Sequence, residues 1–142
     1  MNNSILAVMV MIAGAFAAAP AAAEQFDGKR PLLCSAFRLF ECEIATGCNP
    51  VTAEEIGAAG SWTVDFKKKE LTGTTENAQP NEIDKVELLD GKIFLSGVQD
   101  GLPIARDGVV WSMAINSPDG VMTMTAAGEG FVIVGLGSCV PR

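Results

Sequence analysis

The sequence predicts an all-β fold: a single small domain, an antiparallel meander of about seven to eight strands that closes into a barrel or folds as a sandwich, stapled by disulfides. Three observations predict it. Two hairpins can be checked residue against residue, helical periodicity is missing beyond the first 23 residues, and the four cysteines suit two bridges.

The chain opens on Met-Asn-Asn-Ser, then an unbroken apolar run from Ile5 to Ala19, then Pro20 and three alanines before Glu24. An apolar core of that length ending in small residues is the pattern of a secretory signal peptide, with cleavage expected after Ala23. The expected organisation is therefore a signal peptide at 1–23 and one disulfide-stabilised all-β domain at 24–142. The run is short for a retained membrane anchor and no basic flank follows it closely, so no stable membrane insertion is expected after cleavage. A lipid anchor fits poorly, because the first cysteine, Cys34, lies beyond several charged residues.

Within the domain the elements follow in order. Residues 33–42 read as a strand. In 50–57, Thr52 is placed to cap a single helical turn closed by Gly57. Trp62, Val64 and Phe66 alternate cleanly as one face of a second strand, and Lys67-Lys68-Lys69 makes a solvated turn before a short strand near Leu71. Residues 73–81 read as a polar loop.

The first checkable hairpin is KVELLDGKIFLS. Asp90-Gly91 favours a two-residue type I′ turn, which sets Leu88 opposite Ile93 and Val86 opposite Leu95 on one face. Glu87 then faces Phe94 and Lys85 faces Ser96 on the other. The second is VVWSMAINSPDGVMTMTA. A loop at 117–120 puts Ile115 opposite Met122, Met113 opposite Met124, and Trp111 opposite Ala126. A slip of one residue would turn Trp111, Met113 and Met124 outward, so this register is strongly specified. The last strand, 130–136, is apolar on both faces and suits a central or closing position.

The cysteines raise three options: metal, thiol chemistry or staple. Cys34, Cys42 and Cys48 lack the Cys-x2-Cys spacing of a zinc site or a redox motif. An exported chain with an even number of cysteines is read as a disulfide framework. Were Cys34 and Cys42 on one strand they would stand roughly 26 Å apart, at ~3.3 Å per residue. A disulfide spans at most about 7 Å between Cα atoms. The ranking is therefore Cys42–Cys48 across the EIATG loop, and Cys34–Cys139, which ties the two ends of the domain together as a barrel seam would.

Charge and composition exclude several functions. Ten Lys and Arg stand against 17 Asp and Glu, for a net charge of −7. Nucleic acid and anionic membrane surfaces need clustered cations, so neither is an expected partner. Histidine is absent, which removes the commonest general base and zinc ligand. Tyrosine is absent too, leaving no interfacial girdle for an outer-membrane barrel. The glycines of AGEGFVIVGLGSC make neither a dinucleotide fingerprint nor a phosphate loop.

The stretches Leu33-Cys34, Glu41-Cys42, Gly47-Cys48, Trp62-Thr63-Val64-Asp65, Trp111-Ser112, Gly120-Val121-Met122-Thr123 and Gly137-Ser138-Cys139 are spread through the domain. In them the chain resembles a family of uncharacterised small secreted or periplasmic β-proteins of Gram-negative bacteria with four cysteines. The resemblance covers most of the domain and rests on cysteines, turn glycines and strand aromatics. It implies export and fold, and it carries no activity and no functional residue.

The functional expectation is a non-enzymatic periplasmic or secreted domain without cofactor or metal. It would bind a small apolar ligand or an envelope protein, in one version as a hydrolase inhibitor. Trp62, Trp111, Met113 and Met124 are the candidate cavity-lining residues, should the barrel interior be incompletely filled. The alternative is a hydrolase of cell-envelope sugars working through carboxylates alone, with Glu41 and Glu43 on one side of a strand as the pair.

Overall fold

The computed structural model describes residues 26–100 and 108–142. The expected signal peptide lies outside these residues. Ten antiparallel strands form one curled sheet, a half-barrel, with no α-helix among the described residues. They are β1 (Leu32–Glu43), β2 (Gly47–Val51), β3 (Ser61–Asp65), β4 (Glu70–Gly73), β5 (Pro80–Glu82), β6 (Lys85–Leu89), β7 (Lys92–Gln99), β8 (Val109–Asn116), β9 (Val121–Ala127) and β10 (Phe131–Pro141). The order across the sheet is β5-β4-β3-β1-β10-β9-β8-β7-β6, with β2 pairing β1 off this path.

Both hairpins form in the expected register. Leu88 pairs Ile93 and Val86 pairs Leu95, while Trp111 pairs Ala126 and Met113 pairs Met124. Asp90 and Gly91 take φ of 51° and 71°, the two positive values a type I′ turn demands. Ser117 N–H donates to the Gly91 carbonyl at 2.8 Å, locking one hairpin tip onto the other.

The strand count exceeds the expected seven to eight because β2 and β5 carry little strand signal. β2 holds Pro50 and β5 opens on Pro80. Proline cannot donate to a ladder, so it belongs at edges and strand starts, which is where these two strands lie. The reading of 73–81 as loop therefore holds only between β4 and β5. Of the 50–57 segment, Pro50 and Val51 end β2 and residues 53–57 make turns, with no helix. Its cap does form: Thr52 N–H donates to Glu55 Oε2 at 2.7 Å and Glu55 N–H to Thr52 Oγ1 at 3.2 Å, a capping box. Gly57, at φ 63°, stops the turn.

Long-range pairing sets the topology. β1 is the hub: Leu32 to Ser35 pair with β3, and beyond an irregularity between Ala36 and Arg38 the strand pairs with β2 from Leu39 to Glu43. Its other edge runs along β10 throughout. β10 extends to Pro141, so Cys139 lies inside the last strand and not beyond it, directly opposite Cys34. Cys34–Cys139 and Cys42–Cys48 are both bonded, as the ranking expected. The seam is elsewhere, however. β1 and β10 occupy the middle of the sheet, and the two edges are β5 and β6, joined by only Ile83 and Asp84.

The core is graded along the half-barrel. At one end the inner face packs Leu32, Val64, Ile93, Ile115 and Met122, all fully buried. Phe26 closes that end: its ring lies against Gly120, and its carbonyl accepts from Ser117 Oγ at 2.7 Å. Cys34, Leu95 and Met113 form the middle layer. At the opposite end stand Trp62, Trp111 and Leu39, and there the filling stops.

Candidate ligand cavity at the open end

Strand alternation delivers one inward residue per step, and at the open end these residues are Leu39, Trp62, Trp111, Ala126 and Ile133. With Met113 and Met124 they wall a cavity of about 420 Å³, within the range of small-molecule sites. The four residues expected to line a cavity, Trp62, Trp111, Met113 and Met124, therefore meet in one place. Loops complete the rim with Ile56 and Ala59 before β3 and Thr75, Ala78 and Gln79 between β4 and β5, joined by Asn81 of β5 and by Gln99 and Val109 at the ends of β7 and β8. The loop residues escaped sequence reasoning because loop composition carries no period from which direction can be read.

The electrostatics of this cavity are simple. Among the described residues no Asp, Glu, Lys or Arg lines it, although charged residues make up 19% of the chain. Beside the apolar side chains the described lining includes the uncharged polar residues Thr75, Gln79, Asn81, Gln99 and Ser112.

Trp111 is the distinctive wall residue. Its side chain is 7% exposed, and its Nε1–H has no hydrogen-bond partner. Indole N–H groups normally find an acceptor when buried, because leaving one unpaired costs about 1–3 kcal/mol. The indole is held in place from behind. Its Cε2 and Cζ2 atoms lie over Gly97 on β7, close to where the Glu82 carbonyl also approaches.

A second depression, of about 450 Å³, lies on the outside of β6–β9 and includes Lys85, Glu87, Phe94, Ser112 and Thr125. Four of its polar side chains pair with one another. Lys85 pairs Glu87 at 2.9 Å, and Ser112 shares a 2.8 Å hydrogen bond with Thr125. The inner cavity, where Trp62, Trp111, Met113 and Met124 meet, is the better candidate.

The carboxylates of the hydrolase alternative are placed as follows. Glu41 and Glu43 alternate on one side of β1, Glu41 half-buried and Glu43 exposed. Glu43 Oε2 accepts from Thr46 Oγ1 at 2.9 Å within the Cys42–Cys48 loop. Glu55 sits below the ordinary carboxyl pKa, held there first by the backbone N–H of Thr52 and then by its hydroxyl. Glu43, of the expected pair, and Glu55, outside it, thus both have structural duties in turns. Among the described residues no cluster of three or more potential ligands is placed to hold a metal ion.

Comparison with protein-family models, with curated proteins and with solved structures gave no match to this chain.

Proposed function

We propose that the protein is an exported, non-catalytic β-domain that carries a small apolar ligand in the open end of its half-barrel. The observation that carries this reading is the cavity of about 420 Å³ walled by Trp62, Trp111, Met113 and Met124, with no charged side chain among its described lining residues. A filled half-barrel would have packed these residues against one another, as it does at the Phe26 end. Two disulfides fit an oxidising compartment, extracellular or periplasmic. The apolar segment before Glu24 and the resemblance to secreted Gram-negative proteins support the periplasm or the medium as the place of work.

The test is the intact mass of the exported protein, first under native conditions and then denatured, without reductant. A mass retained natively and lost on denaturation supports a carrier and gives the ligand's size. A bare native mass, together with no uptake of added apolar probes, counts against it.

A second reading, attachment to an envelope protein as a hydrolase inhibitor would attach, is favoured by one observation. Ile44 is 98% exposed at the tip of the hairpin that Cys42–Cys48 closes. A rigid loop presenting a branched aliphatic side chain suits insertion into a partner's pocket. A photo-crosslinker at position 44 that captures one defined envelope protein, while Ile44→Asp abolishes the complex, would support this reading over the carrier.

A further inference from the structure

One edge of the sheet is open along its length. Among the described residues β6 pairs only with β7, so one side of Lys85–Leu89 has no strand beside it. Every residue of this strand but Val86 is exposed, Leu88 at 60% and Leu89 at 63%. The other outlying strands carry a breaker: β5 opens on Pro80 and β2 holds Pro50. β6 has neither proline nor glycine. An exposed edge of this kind is a template for a further strand.

The turn decides which backbone groups this edge offers. In a two-residue hairpin the residues flanking the turn, here Leu89 and Lys92, exchange hydrogen bonds, and such pairs alternate along the ladder. Lys85 and Glu87 therefore turn their backbone groups to β7, while Val86 and Leu88 turn theirs to the open side. The far side of β7 agrees. The Gly91 carbonyl accepts from Ser117 N–H, which assigns Gly91 and its alternates, Ile93 and Leu95, to β8.

Charge then selects a register. Lys85 and Glu87 stand on the outer face and pair with each other at 2.9 Å. A second copy of β6 laid antiparallel along the open side can slide only in steps of two, or the backbone bonds are lost. A two-fold axis at Glu87 would set Glu87 against Glu87, and an axis at Lys85 would set Lys85 against Lys85. An axis at Leu88 would set Glu87 against Leu89. An axis at Val86 sets Lys85 against Glu87 twice, in the non-hydrogen-bonded positions where side chains approach most closely. Charged edges normally repel a second strand; this one is complementary to itself.

We infer that β6 is a self-association edge: two copies of the chain join antiparallel about Val86, with Lys85 of each opposite Glu87 of the other. Four charges of alternating sign then form a square on the outer face. On the inner face Leu88 lies diagonal to Val86 of the second copy, which covers part of its exposed surface. No residue of β6 lines the inner cavity, so the pairing goes beyond the carrier reading and does not depend on it. The contact is short, so the dimer is weak, with a dissociation constant of about 10–100 μM.

The experiment is sedimentation equilibrium of the exported, oxidised protein from about 1 μM to about 1 mM. Lys85→Glu makes the square all negative and Glu87→Lys makes it all positive. Each is expected to weaken the dimer at least about tenfold, and an equimolar mixture of the two to restore it as a heterodimer. The double variant, with the charges exchanged, is expected to pair as the unaltered chain does. Amide protons of Val86 and Leu88 should exchange more slowly as concentration rises, while that of Glu87, already bonded within the hairpin, changes little.

A chain that stays monomeric to about 1 mM would overturn the inference. A dimer that survives in both single variants would place the contact on another face and overturn it too. Loss in the single variants without rescue on mixing would overturn the register.

Discussion

Gly97 on β7 and Trp111 on β8 are register partners, and the glycine exists to receive the indole. A Cβ at position 97 would stand 2.6 Å from Cζ2 and 2.8 Å from Cε2 of Trp111, and would also strike the carbonyl of Glu82. Gly97→Ala is therefore expected to destabilise the fold by about 1–3 kcal/mol through overpacking. The urea midpoint reports it. An unchanged midpoint would mean that β5 can retreat from β7 at no cost.

The two disulfides should differ in worth. Cys34–Cys139 spans 105 residues and Cys42–Cys48 spans 6. In the chain-entropy description the long bridge contributes about 4.7 kcal/mol and the short one about 2.4 kcal/mol. Cys34→Ala with Cys139→Ala is expected to lower the unfolding free energy about twice as far as the corresponding change at Cys42 and Cys48. Access differs as well: Cys48 is exposed, whereas Cys34 and Cys139 are 0% and 2% accessible. Mild reductant should open Cys42–Cys48 first, which alkylation and peptide mapping would show.

Ala126 faces Trp111 across β8–β9 and Ile133 across β9–β10, on the cavity wall. Ala126→Phe places a ring in open space and not in packed core. Ligand uptake is expected to fall at least tenfold, an energy of about 1.4 kcal/mol, while the thermal midpoint changes little. Calorimetric titration alongside thermal unfolding separates the two effects. Uptake that survives the substitution would put the ligand elsewhere.

Acid should loosen the Asn116–Val121 turn. The Asp119 carboxyl lies below its ordinary value of 3.8, first because Val121 N–H donates to it and then because Asn116 Nδ2 does. Glu55 and Asp27 are lowered in the same way by backbone N–H groups of Thr52 and Lys29. A depressed folded-state value means that the stabilisation is complete above the unfolded carboxyl value. It is lost as the pH falls through the lower folded one. Stability should thus be level in this respect down to about pH 5 and decline below it. Asp119→Ala is expected to lower the plateau and make the acid decline shallower, as unfolding at a series of pH values would show.

The residues that announced their structure are those whose partners are near in sequence. Leu88 and Ile93, or Met113 and Met124, share a short turn, so period-2 alternation and the turn dipeptide together determine which atoms meet. Long-range contacts left weaker traces. Nothing local to Leu32–Glu43 says that one edge of that strand is divided between β3 and β2, or that Ala36–Arg38 interrupts the register there. The cavity was half legible for the same reason. Trp62, Trp111, Met113 and Met124 are inward by alternation, while Ala78 and Gln79 reach the rim only through the path of the loop between β4 and β5.

Arg142 N–H donates to the Pro31 carbonyl at 2.9 Å, and β1 and β10 run antiparallel from that point. A pull applied to the two ends of the domain would therefore unzip the pair one rung at a time, the weakest geometry in which a ladder can be loaded. Only Leu32 with Pro141 and Leu33 with Val140 would give way before the force reached Cys34 and Cys139. There it meets a covalent bond. Oxidised, the domain is almost inextensible between its ends; reduced, it should come apart at low force from its central strands outward. Under load, whether this chain behaves as a rivet or a zipper is decided by one pair of sulfur atoms.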